Sequence, residues 1–315
     1  SVFIVATLIS SDWVKQTFDK IFKFFIDYFG WSYLLIVAGF VLFCFIMAMS
    51  KFGNIRLGKD DEEPEFSMSA WFAMLFAAGM GIGLVFWGVA EPMFHYATPP
   101  FADAKTPEAA ADAMRIAFFH WGLHPWSCYA VVAMVLGYFQ FRKDMPMLFS
   151  WTVAPLIGEK RVKGGIGKSI DSLAIVVTLF GVANSLGMGA MQVSTGLNKL
   201  YGIPNTNTIS IIIIAVVTVL YIFSAVTGVD KGIKILSTTN MYMAFGLMAM
   251  VLFYGPTIYI LEALIESLGD YFQNIVKFSF FSDVTKVVKN RVGYDWMGSW
   301  TVFYWAWWLV WAPFV

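Results

Sequence analysis

Six apolar stretches, near residues 31–50, 69–92, 115–140, 170–198, 208–228 and 236–262, are each long enough to cross about 30 Å of hydrocarbon as a helix. A seventh begins near residue 298. A backbone that finds no water in lipid must satisfy its own hydrogen bonds, so this pattern predicts an all-α, polytopic membrane protein. Composition agrees, with 59% hydrophobic and 13% charged residues among 315, against roughly 45–50% and 25% in soluble domains. Basic and acidic residues balance at 21 each, so no overall field favours nucleic acid. Cys44 and Cys128 both lie in apolar segments and read as packing residues.

The opening "SVFIVATLIS" is too short to span, and it lacks the basic start and small-residue cleavage site of a signal peptide. The closing "FYWAWWLVWAPFV" stops within an apolar segment. The chain therefore reads as a fragment, cut inside a helix at both ends. The basic stretches "KFGNIRLGKDDEEPEFS", "FRKDMPMLFSWTVAPLIGEKRVKGGIGK" and "GVDKGIK" fall on one side by the rule that lysine and arginine stay in the cytoplasm. Segments 93–114, 199–207 and 263–297 then lie outside. Two mixed segments, "DWVKQTFDKIFKFFIDYF" and 261–288, carry charges and aromatics at helical spacing; each reads as a surface helix or as a lid packed on protein.

Within the second span, "AAGMGIGLVFWG" places Gly79, Gly81, Gly83 and Gly88 close together. Gly79 and Gly83 fit a small-residue packing face, or they mark an unwound helix whose free backbone groups bind a ligand or cation. Spacing and context exclude a dinucleotide fingerprint. The third span carries Trp121, Trp126 and Tyr129 around Pro125, and the last carries Trp305, Trp307, Trp308 and Trp311. These aromatics form interfacial belts or, clustered, hold a quaternary ammonium by cation–π attraction of about 0.5–2 kcal/mol per contact. His120 and His124 stand four apart without a third metal ligand, which favours a structural role. Glu91 precedes Pro92 near an outer helix end, where a charge costs little. Asn184, Ser185 and Gln192 lie in "NSLGMGAMQ", which reads as a second glycine-interrupted span packing on the first or lining a path. No nucleophile triad, carboxylate pair or phosphate loop appears, so no enzyme activity and no cofactor are expected.

Together, "GMGIGLVFWGVAEP", "FFHWGLHPWSCYA", "TLFGVANSLGMGAMQ" and "WTVFYWAWWLVWAPF" resemble the betaine/carnitine/choline transporter family over essentially the whole chain. The resemblance implies the leucine-transporter fold, with inverted repeats of five helices. Residues 1–68 would hold the end of helix 1, a surface helix, helix 2 and a cytoplasmic loop; 69–265 the first repeat, helices 3–7; 266–297 an outer amphipathic segment; and 298–315 the start of helix 8. It further implies a trimethylammonium site in an aromatic box of Trp121, Trp126, Tyr129 and Trp308, with Met80 at its border and Trp307 and Trp311 lining the path inward. Choline carriers of the family tend to place an acid where Gly83 stands, and carnitine exchangers replace the glycine motif. The intact glycines imply a zwitterion such as glycine betaine, whose carboxylate the freed amides would bind.

Sodium is the implied coupling ion, bound by the carbonyls of Ala77 and Met80. Asn240 occupies the place of an arginine found in sodium-independent exchangers. A second sodium site is implied at Thr178 and Phe314, but its second threonine is replaced by Val182, which offers no side-chain oxygen. The resemblance also implies a homotrimer in a bacterial-type inner membrane. The alternatives are an exchanger of carnitine-like betaines, a choline carrier and, from another class, a membrane enzyme or channel with His120 and His124 on a metal.

Overall fold

The computed structural model describes residues 2–79, 81, 83–228 and 232–313. Among these the chain is all-helical, in the order α1 (Val2–Ile9), α2 (Ser11–Met49), α3 (Met68–Gly79), α4 (Gly88–Ala97), α5 (Pro107–Trp121), α6 (Leu123–Gly137), three single turns α7 (Phe149–Thr152), α8 (Ala154–Ile157) and α9 (Glu159–Val162), then α10 (Gly165–Tyr201), α11 (Asn207–Val226), α12 (Lys234–Tyr254), α13 (Thr257–Ser279), α14 (Val287–Val292) and α15 (Val302–Trp311). Helices α2, α10, α11 and α12 are each long and apolar enough to cross a membrane. A fifth span results if α3 and the helix from Gly83 to Ala97, inclined by 65°, count as one.

Local chemistry explains where these helices start and stop. Thr106 accepts a hydrogen bond from the Ala109 amide and is followed by Pro107, so α5 begins with a side-chain cap and a residue that needs no amide partner. Gly202 ends α10 in the left-handed conformation, at φ 70°. Pro125 falls in the first turn of α6, where its missing N–H is no loss.

Three expectations about the spans are corrected. The segment before residue 31 is not a separate surface helix: α2 runs unbroken for 39 residues, because Gly30 packs against Met297 and its neighbours continue the helix. The span at 115–140 is broken at Gly122, whose ψ of −131° no helix adopts. The expected interruption at "NSLGMGAMQ" does not occur; α10 is continuous for 37 residues, since isolated glycines weaken a helix without ending it.

Arg142 binds Asp60 at 2.6 Å and Lys59 binds Asp144 at 3.0 Å, joining the first two basic loops at one end of the molecule. Helix α13 packs Tyr271 and Phe278 onto α5 and the Gly122 break, with Arg115 on Asp270, and leaves Ile265, Phe272 and Val276 exposed. The core is aromatic, built from Phe119, Trp296, Trp300, Tyr304, Trp305 and Trp308 between α5, α6, α13 and α15. Outward faces are apolar; α11 buries none of its residues, a surface that lipid accommodates and water would not.

Candidate functional site

Helix α3 is described as far as Gly79, a π-helical turn from Gly83 to Trp87 leads into α4, and the two helical stretches are inclined by 65°. Such turns mark places where the helical ladder is strained, and membranes tolerate them where protein or a cavity takes up the freed groups. A cavity of about 530 Å³ opens at this break, with Gly79, Gly81 and Gly83 on one wall and Trp307, Trp308 and Trp311 on another. Ala77, Val182, Ser185 and Asn240 also line it.

The four box residues come together around the break. Trp308 meets Trp121 edge-on at 4.9 Å and Tyr129 at 5.9 Å, and Trp126 meets Tyr129 at 5.7 Å. A Cβ at Gly79 would lie 3.5 Å from Tyr129 and 3.9 Å from Trp126. Gly79 and Gly83 therefore let aromatic rings from α6 and α5 lie against the backbone at the bend. Of these four aromatics only Trp308 faces the cavity; Trp121, Trp126 and Tyr129 stand beside it. Trp308 is fixed by its indole N–H on the carbonyl of His120, at 3.2 Å, and by Trp307 stacked at 5.6 Å. Among the described residues, Tyr129 Oη, Ser185 Oγ and Trp307 Nε1 are buried without hydrogen-bond partners.

The remaining candidates divide. Gln192 lines a second cavity of about 350 Å³ with Gly81 and Val85, while Asn184 is exposed. Thr178 is half-buried on α10, and Val182 presents only methyl groups to the main cavity. Met80 and Phe314 lie outside the described residues.

Glu91 is the residue that sequence reasoning missed. It does not sit at a solvated helix end; it is fully buried and accepts four hydrogen bonds. His120 Nδ1 at 2.6 Å and His95 Nε2 at 3.1 Å reach Oε1, while Trp121 Nε1 at 2.5 Å and Tyr304 Oη at 2.6 Å reach Oε2. The signal was present: a glutamate and a histidine four apart inside an apolar span, where an ionisable group is a functional candidate by default. His120 bonds Glu91 and Thr301, and His124 turns away to Ser279 at 2.8 Å. His120 and His124 therefore do not form the metal pair of the alternative reading. Glu91, His95 and His120 do converge within 4.8 Å, a composition that suits a metal. The same atoms bond to one another, His95 Nε2 and His120 Nδ1 both on Oε1 of Glu91. Tyr294 Oη lies 3.0 Å from His95 Nδ1 and Thr301 Oγ1 3.1 Å from His120 Nε2, so every ring nitrogen of the two imidazoles has a hydrogen-bond partner.

The model of the betaine/carnitine/choline transporter family matches residues 1–315. The chain is 50% identical over 309 residues to the glycine betaine transporter OpuD of Bacillus subtilis, covering 98% of the chain and 59% of the relative. It is 43% identical over 299 residues to an ectoine/hydroxyectoine transporter of Virgibacillus pantothenticus, covering 94% and 58%. To the osmo-dependent choline transporter BetT2 of Acinetobacter baylyi it is 39% identical over 317 residues, covering 100% and 45%. The chain thus spans about half the length of these relatives. The match runs through the glycine motif, the tryptophan-rich segments and every helix between them, and the chain belongs to the betaine/carnitine/choline family of transporters, multi-pass membrane proteins and not enzymes.

Proposed function

We propose that the protein containing this chain is a secondary transporter that imports glycine betaine, or a closely related quaternary-ammonium osmolyte, across a bacterial inner membrane by sodium symport. The observation that carries the reading is Trp308, held by His120 and braced by Trp121 and Tyr129, facing a cavity that Gly79, Gly81 and Gly83 also line. Indole faces attract a trimethylammonium group without needing a buried acid in contact with it. Glycine-walled backbone and the unpaired Ser185 hydroxyl and Trp307 N–H offer donors for a carboxylate across the same space. A zwitterion fits both ends, whereas choline offers these donors only a neutral hydroxyl oxygen in place of a carboxylate.

In this reading the two arms flanking the break rock around a fixed site, in the alternating access of the inverted-repeat fold. Sodium binds at the carbonyls of Ala77 and Met80. The neutral Asn240 beside Ala77 and Gly81 supports a bound cation there, because it brings no charge of its own. Val182 favours a single sodium site over two. A homotrimer, as the resemblance implies, is part of the same proposal.

Uptake of radiolabelled glycine betaine into proteoliposomes of the full-length protein tests this directly. Accumulation that requires an inward sodium gradient is expected. Uptake indifferent to sodium but stimulated by internal betaine would instead establish the exchanger.

A further inference from the structure

Transport as proposed gives the Glu91 cluster no task. The carboxylate is sealed from the cavity, and none of its four donors is a lysine or arginine. The cluster holds an ionisable carboxyl inside the protein on two imidazoles, an indole and a phenol, an arrangement that hydrogen bonds make tolerable but do not make favourable. A glutamine would offer its one oxygen to only two of these donors and turn its NH2 toward the others, so the network calls for a carboxylate. The charge of that carboxylate can have a reason beyond its own hydrogen bonds.

Two of the donors supply one. Trp121 gives its indole N–H to Oε2 and packs edge-on against Trp308; Tyr304 gives its hydroxyl to the same oxygen and stacks on Trp308 at 6.1 Å. A hydrogen bond from a ring N–H or O–H to a carboxylate pushes electron density into the ring and makes its π-face more negative. The field of an anion in a poorly screened interior also reaches the neighbouring cavity. Trp121 and Tyr304 do not line the cavity themselves, so both effects act through their contacts with Trp308 and as a field: they strengthen the attraction of that face for a cation and leave its attraction for a neutral group of the same shape unchanged.

We infer that Glu91 is the electrostatic counter-charge of the aromatic box, acting through Trp121 and Tyr304 to select a cationic headgroup over a neutral isostere. It is a positioning and specificity-determining residue that does not touch substrate. The inference rests on the quaternary-ammonium reading above and adds to it the origin of charge selection.

The test compares glycine betaine with 3,3-dimethylbutanoate, its carbon isostere, in binding to the purified full-length protein. Glu91→Gln is expected to weaken betaine binding about tenfold while leaving the isostere within about twofold. Equal losses for both probes, or no loss for either, overturn the inference, because a purely structural glutamate cannot distinguish them. Should the glutamine variant fail to fold, Glu91→Asp keeps the charge and is expected to keep the preference for betaine; loss of that preference overturns the inference equally. Trp308→Leu separates this from the underlying reading. If that variant loses betaine and Glu91→Gln keeps its selectivity, only the Glu91 role fails; if Trp308→Leu binds betaine normally, the aromatic box and the role built on it both fail.

Discussion

A Cβ built on Gly83 would lie 2.6 Å from Cη2 of Trp121, closer than any side chain tolerates. Trp121 cannot simply yield, since its indole N–H is tied to the buried Glu91 at 2.5 Å. The glycine of the broken helix and the tryptophan of the box are thus one steric unit, and the position implicated in substrate charge is also the one that seats the ring.

Gly83→Ala is therefore expected to displace Trp121 and weaken betaine binding about tenfold, the cost of a methyl group forced into filled space being about 1–3 kcal/mol. Gly81→Ala is the control, since a Cβ there meets nothing within 4 Å. Equilibrium binding of labelled betaine to both variants measures the contrast. Equal effects would show that flexibility of the break, and not the seat of Trp121, is what the glycines provide.

Gly122 predicts a separate effect on stability. A Cβ there would approach the Phe118 carbonyl at 2.5 Å and the Tyr271 hydroxyl at 2.8 Å, while that hydroxyl accepts the Leu123 amide at 3.0 Å. Gly122→Ala should push α13 from the break between α5 and α6 and destabilise the protein by about 1–3 kcal/mol. Thermal unfolding in detergent and faster proteolysis within 257–292 would report it.

The loop clasp predicts a pH effect. The Arg142 guanidinium holds the exposed Asp60 carboxyl below its ordinary pKa, chiefly through their hydrogen bond. A carboxyl depressed in the folded state contributes its stabilisation above its unfolded pKa and loses it as the pH falls through the lowered value. The clasp should therefore persist throughout the neutral range and open only in acid. Arg142→Ala should return Asp60 to the usual carboxylate range, as an NMR titration would show, with little change in melting temperature because the pair is solvated and screened.

Much of this organisation was legible in the residues. The apolar helices, the basic loops and the crowding of tryptophans into two segments follow from hydropathy, charge placement and residue type, which depend on local chain chemistry alone; the box itself was implied only by the family resemblance. Glu91 was misread for a physical reason: its cost depends on depth and partners, and its partners His120 and Tyr304 lie 29 and 213 residues away. The continuity of α10 through its glycines, and the break at Gly122 where only one glycine stands, were equally hidden, since a glycine permits a break without requiring it.

The sequence by itself determined that this chain is a membrane-spanning helical protein of a recognisable family, because lipid leaves a backbone few ways to satisfy its hydrogen bonds. Only the tertiary structure decided that Gly83 must be glycine for Trp121 to lie where it does, that Trp308 faces the cavity while three other box aromatics brace it, and that a buried carboxylate stands behind them. Those facts belong to contacts between α3, α4, α5 and α15, and close contact between distant segments is set by packing, not by any one segment's pattern.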